Sequence, residues 1–128
     1  MRITRILESL YIGSFDDISC LIDAGITHIV GFNLQKDLQD KFETLSLVNS
    51  VNCFSILPSV MDFLRKTVLY RGRLLIVEPS NNVMKEVVVI ILSHLFKTNT
   101  YETYNLIKSQ NLFWQLSVER IAKISEWT

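Results

Sequence analysis

Few residues of this chain are equipped for chemistry: two cysteines, Cys20 and Cys53, two histidines, His28 and His94, and the polar run Glu78-Pro79-Ser80-Asn81-Asn82-Val83-Met84-Lys85-Glu86. The run stands between a β-type apolar segment, residues 73–77, and a helical one that includes residues 87–92. A strand, a turn and a helix in that order leave free backbone N–H groups at the helix start, where they and the helix dipole favour an anion. Ligands of α/β proteins bind beyond the carboxyl ends of strands, so this turn is the expected site. Against that, Ser80, Asn81 and Asn82 are also ordinary turn and cap residues. The cysteines lie far apart without metal-ligand spacing, and no arginine or glycine-rich cradle surrounds Cys53, so both read as small core residues. His28 reads as a hydrogen-bonded structural histidine and His94 as a lone helix residue. No metal and no cofactor is expected.

The elements that must position these residues are legible in the apolar pattern. Residues 6–14 read as two short strands around Leu7-Glu8-Ser9, and residues 16–24 as a helix with Ile18, Leu21 and Ile22 on its apolar face and Gly25 as its stop. Residues 26–30 (Ile-Thr-His-Ile-Val) form a buried strand of a parallel sheet. Residues 33–43 fit a short helix or a loop, and residues 44–48 an edge strand. Ser55 can cap a helix with Ile56, Val60, Phe63, Leu64 and Thr67 on one face and Pro58 in its first turn; that helix ends near Gly72. Residues 73–77 read as a central strand. The next helix is expected over about residues 84–96, and since residues 87–92 are apolar all round, it should lie buried in the middle of the domain. Tyr101, Tyr104, Leu106 and Ile107 mark a further helix, and Val118, Ile121 and Ala122 a last one over about residues 114–127. Phe113, Trp114, Trp127 and the tyrosines at 101 and 104 could form an aromatic contact surface, although aromatics at helical spacing more often enter the core. Strands alternating with helices define an α/β fold: a parallel-rich central sheet flanked by helices.

Composition narrows the class. At 128 residues and 48% apolar, the chain suits one domain with its own core, residues 1–128. Thirteen basic residues balance thirteen acidic ones, which leaves no electrostatic footprint for nucleic acid or for a membrane surface and points to a protein partner. With four glycines and two prolines there is no linker-like stretch. Unpaired cysteines without a secretory leader fit an intracellular compartment, cytoplasmic or nuclear, and no apolar run reaches the length of a membrane span.

Leu10-Tyr11-Ile12-Gly13-Ser14, followed after a helix by Gly25-Ile26-Thr27-His28-Ile29-Val30, resembles the opening of a dual-specificity protein phosphatase domain. The likeness continues through Asp62-Phe63-Leu64 late in a helix and residues 72–77 as the strand before the catalytic loop. Gln115-Leu116 is similar to the Gln-Leu that opens the family's last helix. It covers nearly the whole chain and thins after Phe96, where the segment between Lys108 and Phe113 is short and lacks the family's Arg-Pro and Pro-Asn steps. The first helix is also a few residues short.

The resemblance implies a trimmed tyrosine and dual-specificity phosphatase fold, and it sets the family's loop pattern, His-Cys-x-x-Gly-x-x-Arg then Ser or Thr, on residues 78–86. Glu78 then stands for the His, Pro79 for the Cys, Asn82 for the Gly, Lys85 for the Arg and Glu86 for the Ser or Thr. Proline offers neither a nucleophile nor an N–H. Lysine cannot clamp phosphoryl oxygens bidentately, a loss of roughly 1.5–3 kcal/mol where a charge-assisted bond goes unreplaced. Glu78 and Glu86 oppose a dianion. The family's general acid comes from an Asp loop before the long helix; here residues 44–61 hold no Asp or Glu, and Asn49 or Asn52 falls near its place. The expectation is a catalytically inactive, pseudophosphatase-like protein that acts as a scaffold, competitor or regulatory subunit. Its partner would be a protein, such as a phosphorylated one, an active phosphatase or a kinase-pathway component. Two alternatives stand beside it: a phosphate- or phosphopeptide-binding module through residues 80–85, and an enzyme with relocated chemistry.

Overall fold

The computed structural model describes residues 2–14, 17–47, 53–77, 82–109 and 118–125. Its strands are β1 (Arg2–Leu7), β2 (Leu10–Ser14), β3 (His28–Phe32), β4 (Glu43–Leu47) and β5 (Leu74–Val77). Its helices are α1 (Ile18–Asp23), α2 (Lys36–Lys41), α3 (Cys53–Leu69), α4 (Asn82–Phe96), α5 (Thr100–Ser109) and α6 (Val118–Ser125). The strands form one sheet in the order β1-β2-β5-β3-β4, with β1 antiparallel to β2 and every other pairing parallel. This is the expected parallel-rich sheet, with residues 74–77 at its centre and β4 at its edge.

Side chains of a strand point alternately to the two faces of a sheet, and β5 obeys that rule. Leu74 and Ile76 join Leu10, Ile12 and Val30 under α3, α4, α5 and α6, while Leu75 joins Tyr11 and Ile29 against Leu21 of α1 and Leu38 of α2. Residues 87–92 are all buried, since α4 is covered by the sheet on one side and by α3, α5 and α6 on the others. Each such side chain contributes roughly 1.5–3 kcal/mol relative to exposure. Ser93 in that layer is hydrogen-bonded, its Oγ lying 2.7 Å from Val89 O and 2.9 Å from Thr103 Oγ1, whereas Thr100 Oγ1, buried in the same layer, has no hydrogen-bond partner among the described residues. Among the described residues no helix is long and apolar enough to cross a membrane.

Several local expectations need correction. α1 is shorter than its pattern, capped by Asp17, whose Oδ1 accepts from Ser19 N at 2.6 Å; Ile22 points to solvent, because the short helix buries only the side on which Leu21 lies. Gly25 ends it as expected, at φ 78, with Ile26 N donating to Leu21 O. The third strand starts at His28 rather than Ile26. α3 begins at Cys53, so Ser55 lies inside it instead of capping it and Pro58 occupies its sixth position; the helix loses one N–H there and continues through it. α4 starts at Asn82, two residues before the expected point, which assigns residues 82–85 to the helix rather than to the turn. In α5 the buried positions are Thr100, Thr103, Tyr104 and Ile107, and Tyr101 and Leu106 face outward. Ala122 of α6 is likewise exposed. Phe113, Trp114, Gln115, Leu116 and Trp127 fall outside the described residues.

Candidate functional site

β5 has parallel neighbours on both sides, with Val77 opposite Gly13 of β2 and Ile76 opposite Val30 of β3. Strand order reverses around it, so the crevice beyond its carboxyl end is where an α/β sheet accommodates a ligand. The chain leaves β5 at Val77 and enters α4 at Asn82, a strand–connection–helix arrangement at the place the sequence marked. Glu78, Pro79, Ser80 and Asn81 make this connection and lie outside the described residues, as do Asn49 and Asn52, which fall between β4 and α3.

What is described of the site belongs to the first turns of α4. Asn82, Val83, Met84 and Lys85 are its first four residues, whose backbone N–H groups have no intrahelical acceptor and carry the positive end of the helix dipole. Lys85 is half-buried, and Glu86 behind it is only 3% exposed. A carboxylate at this depth is favoured by the helix dipole but competes with any anion for the same positive end. The arrangement can polarise or hold an anion through backbone groups and one ammonium. Among the described side chains it holds no thiol: Cys20, a free cysteine, belongs to α1 on the other face of the sheet from α4. Cys53 heads α3, and its side chain is outside the described residues. His94 is exposed near the end of α4, far along the helix from Asn82. Among the described residues no group of His, Cys, Asp and Glu is placed to hold a metal ion.

His28 sits at the opposite, amino edge of the sheet. It is 6% exposed, its Nδ1 lies 2.7 Å from Thr27 Oγ1, and its ring meets Phe63 edge-on and Tyr70 face-on. Burial lowers its pKa, partly opposed by the charge of Glu43. Thr27 Oγ1 also accepts from Arg73 N at 2.9 Å, and Arg73 Nη1 donates to Ala24 O at 2.9 Å. These contacts tie α1, β3 and the start of β5 together, a structural role for His28. A further feature of this edge has no signal in the apolar pattern: a cavity of about 640 Å³ lined by Thr27, His28, Glu43, Phe63, Tyr70 and Arg71. Its lining comes from three elements remote in sequence.

The five-stranded sheet with a central β5, its connection into a buried α4, and helices on both faces constitute the tyrosine and dual-specificity phosphatase fold. The chain superposes on DUSP15 with a TM-score of 0.80 at 18% identity, covering 98% of this chain and 86% of that one. It is also similar in fold to the human tyrosine phosphatase-like serine/threonine/tyrosine-interacting protein, TM-score 0.77 and 15% identity over 98% of this chain and 94% of that one. The same holds for a leucine-rich-repeat and phosphatase-domain protein of Entamoeba histolytica, TM-score 0.77 and 14% identity over 98% and 89%. At the level of sequence, no protein-family model and no curated protein matches the chain.

Proposed function

We propose that this chain is a catalytically inactive member of the phosphatase fold, intracellular, that works by protein–protein contact as a scaffold, competitor or regulatory subunit. The observation that carries the reading is the sequence joining β5 to α4. With β5 ending at Val77 and α4 beginning at Asn82, residues 78–86 occupy the strand-to-helix connection and the helix start, and there the resemblance puts Pro79 for the nucleophile, Lys85 for the arginine and Glu86 for the hydroxyl residue. Phosphoryl transfer through a covalent intermediate needs a thiolate, and an imino acid cannot provide one. One structural neighbour carries the name phosphatase-like interacting protein, which is consistent with a fold kept for contact. The test is hydrolysis of an aryl phosphate by the purified chain: no turnover above buffer is expected. Turnover that disappears in Cys53→Ser would overturn the reading in favour of relocated chemistry.

A second reading has one observation behind it: the first-turn N–H groups of α4 and Lys85 share one end of the helix. Those groups would hold a phosphate or phosphopeptide weakly, through residues 80–85. Phosphate at millimolar concentration would then raise the melting temperature, and Lys85→Ala would abolish the rise. An unchanged melting temperature removes this reading and leaves the first intact.

A further inference from the structure

Apolar side chains left in solvent gather at the end of α3 and the facing end of α4. Val68, Leu69 and Leu95 are 52%, 81% and 47% exposed, and with Leu7, Leu64 and Arg65 they line a groove of about 400 Å³ between the two helices. A second hollow of about 340 Å³ continues it past Ser9 and Val68, which border both, to Glu8, Arg71 and Arg73. The trough thus has a carbon-walled half and a charged half. Arg65, Arg71 and Arg73 face one carboxylate, Glu8, a positive balance in a chain of zero formal charge. Lys66 next to Arg65 is paired with Asp62 at 3.3 Å, whereas among the described residues no carboxylate pairs with Arg65 or Arg71. Arg71 moreover holds φ 55 at the end of α3, a conformation that glycine adopts freely and arginine does not.

We infer that this trough receives a short acidic amphipathic helix of a partner protein. Its large aliphatic side chains sit on Leu7, Leu64, Val68, Leu69 and Leu95, and its carboxylates face Arg65, Arg71 and Arg73. The apolar half takes Leu64, Val68 and Leu69 from α3, Leu95 from α4, and Leu7 and Ser9 from the end of β1 and the turn after it; walls made mostly of helix side chains fit helix-in-groove docking rather than an added strand. Apolar contact supplies affinity; the guanidinium groups of Arg65 and Arg71, which no carboxylate pairs among the described residues, select an acidic segment and steer its approach, and Arg73, held through Nη1 by Ala24 O, adds to the positive field. The inference rests on the protein-contact reading above and gives that partner a chemistry.

The test is a display selection of random peptides of about sixteen residues on the immobilised full chain, with depletion on Leu69→Glu. Anisotropy then compares one enriched peptide with its counterpart carrying lysine for every acidic residue. The enriched peptides should place aliphatic residues at helical spacing and carry net negative charge. The lysine counterpart should bind at least about tenfold more weakly, and Leu69→Glu and Arg71→Glu should each weaken the acidic peptide about tenfold. Both substituted residues are exposed, and circular dichroism checks that each variant folds. Absence of enrichment, enrichment of basic or uncharged peptides, or affinity indifferent to Leu69→Glu overturns the inference. Sedimentation that finds the chain dimeric through Leu69 also overturns it and assigns the trough to a second copy. Aryl phosphate hydrolysis, run in parallel, reads inactivity alone, so failure of the trough and failure of the pseudophosphatase reading fall in different assays.

Discussion

The two ends of β5 carry opposite kinds of residue. At its amino end Gly72 packs against Thr27 and His28, and Arg73 is held by Thr27 Oγ1 and Ala24 O, so the positions that resemble the phosphatases have packing duties. At its carboxyl end the resemblance sets Glu78, Pro79 and Lys85 on positions whose duties in that family are chemical, and there the likeness fails. The packing contacts of this chain and its departures from the family's loop pattern thus fall on different residues, at opposite ends of β5.

The strongest blow to the amino end is Gly72→Ala. A Cβ at position 72 would clash with Thr27 Oγ1 and lie 2.9 Å from His28 Nδ1, atoms held in place by the β3 backbone and by mutual hydrogen bonding. Overpacking of this kind costs about 1–3 kcal/mol, which urea denaturation would read as a lower midpoint. A change within about 0.5 kcal/mol, the range of an ordinary surface substitution, would mean that the amino end is not the rigid half of the comparison.

A smaller effect at the same edge is a dependence on pH. Burial holds the pKa of His28 below 6.5, so the folded protein binds this proton less readily than the unfolded chain. Stability from neutral His28 is complete above the unfolded value and is lost as pH falls below about 6.5, until the pH passes below the folded value and both states are protonated. Unfolding free energies measured across that window should fall with acid, and the fall should be shallower in His28→Gln. Glu43→Gln should steepen it, because the carboxylate that partly supports the imidazolium is gone. An identical slope in wild type and His28→Gln would remove His28 from this role.

Arg71→Gly should act in the other direction. α3 ends with Gly72 N donating to Thr67 O and Arg71 N to Val68 O, the paired bonds of a helix end that places its left-handed residue at position 71. Glycine relieves the steric cost of that conformation and gives back part of it as unfolded-state entropy, for a net gain of about 0.5–1 kcal/mol. A higher melting temperature together with weaker binding of an acidic peptide would separate what Arg71 does for the partner from what it costs the fold. A lower melting temperature would show that its side chain stabilises the chain itself.

Much of this architecture was legible because the apolar pattern is strong where burial is complete. Residues 74–77 and 87–92 lack polar interruption and form the central strand and the buried helix. The pattern misled where a helix buries only one short stripe, as at Ile22, Tyr101 and Leu106, or where local rules yield to tertiary packing, as at Pro58 within α3. The loop substitutions were legible only through family resemblance, since Ser80, Asn81 and Asn82 alone read as turn residues. The trough was not legible: Val68 and Leu69 are of the same residue type as the core positions of α3, and only the geometry separates them from Leu64, which is buried beside them.

The smallest expected effect bears on the carboxyl end. Pro79→Cys restores a thiol at the position of the family's nucleophile, yet aryl phosphate hydrolysis should remain at background. The thiol would lack the bidentate guanidinium that Lys85 cannot replace, would follow an acidic residue, Glu78, in the sequence, and would have no carboxylic acid between β4 and α3 to protonate the leaving oxygen. Groups that act as one unit are not additive, so returning one of three yields little of the whole. The informative variant is Pro79→Cys with Lys85→Arg and Asn52→Asp. Hydrolysis in the triple variant but not in the single one would show that the fold still presents a competent frame at the carboxyl end of β5. Hydrolysis in the single variant would show instead that Lys85 and the residues around it had kept more of the phosphate site than their side chains suggest.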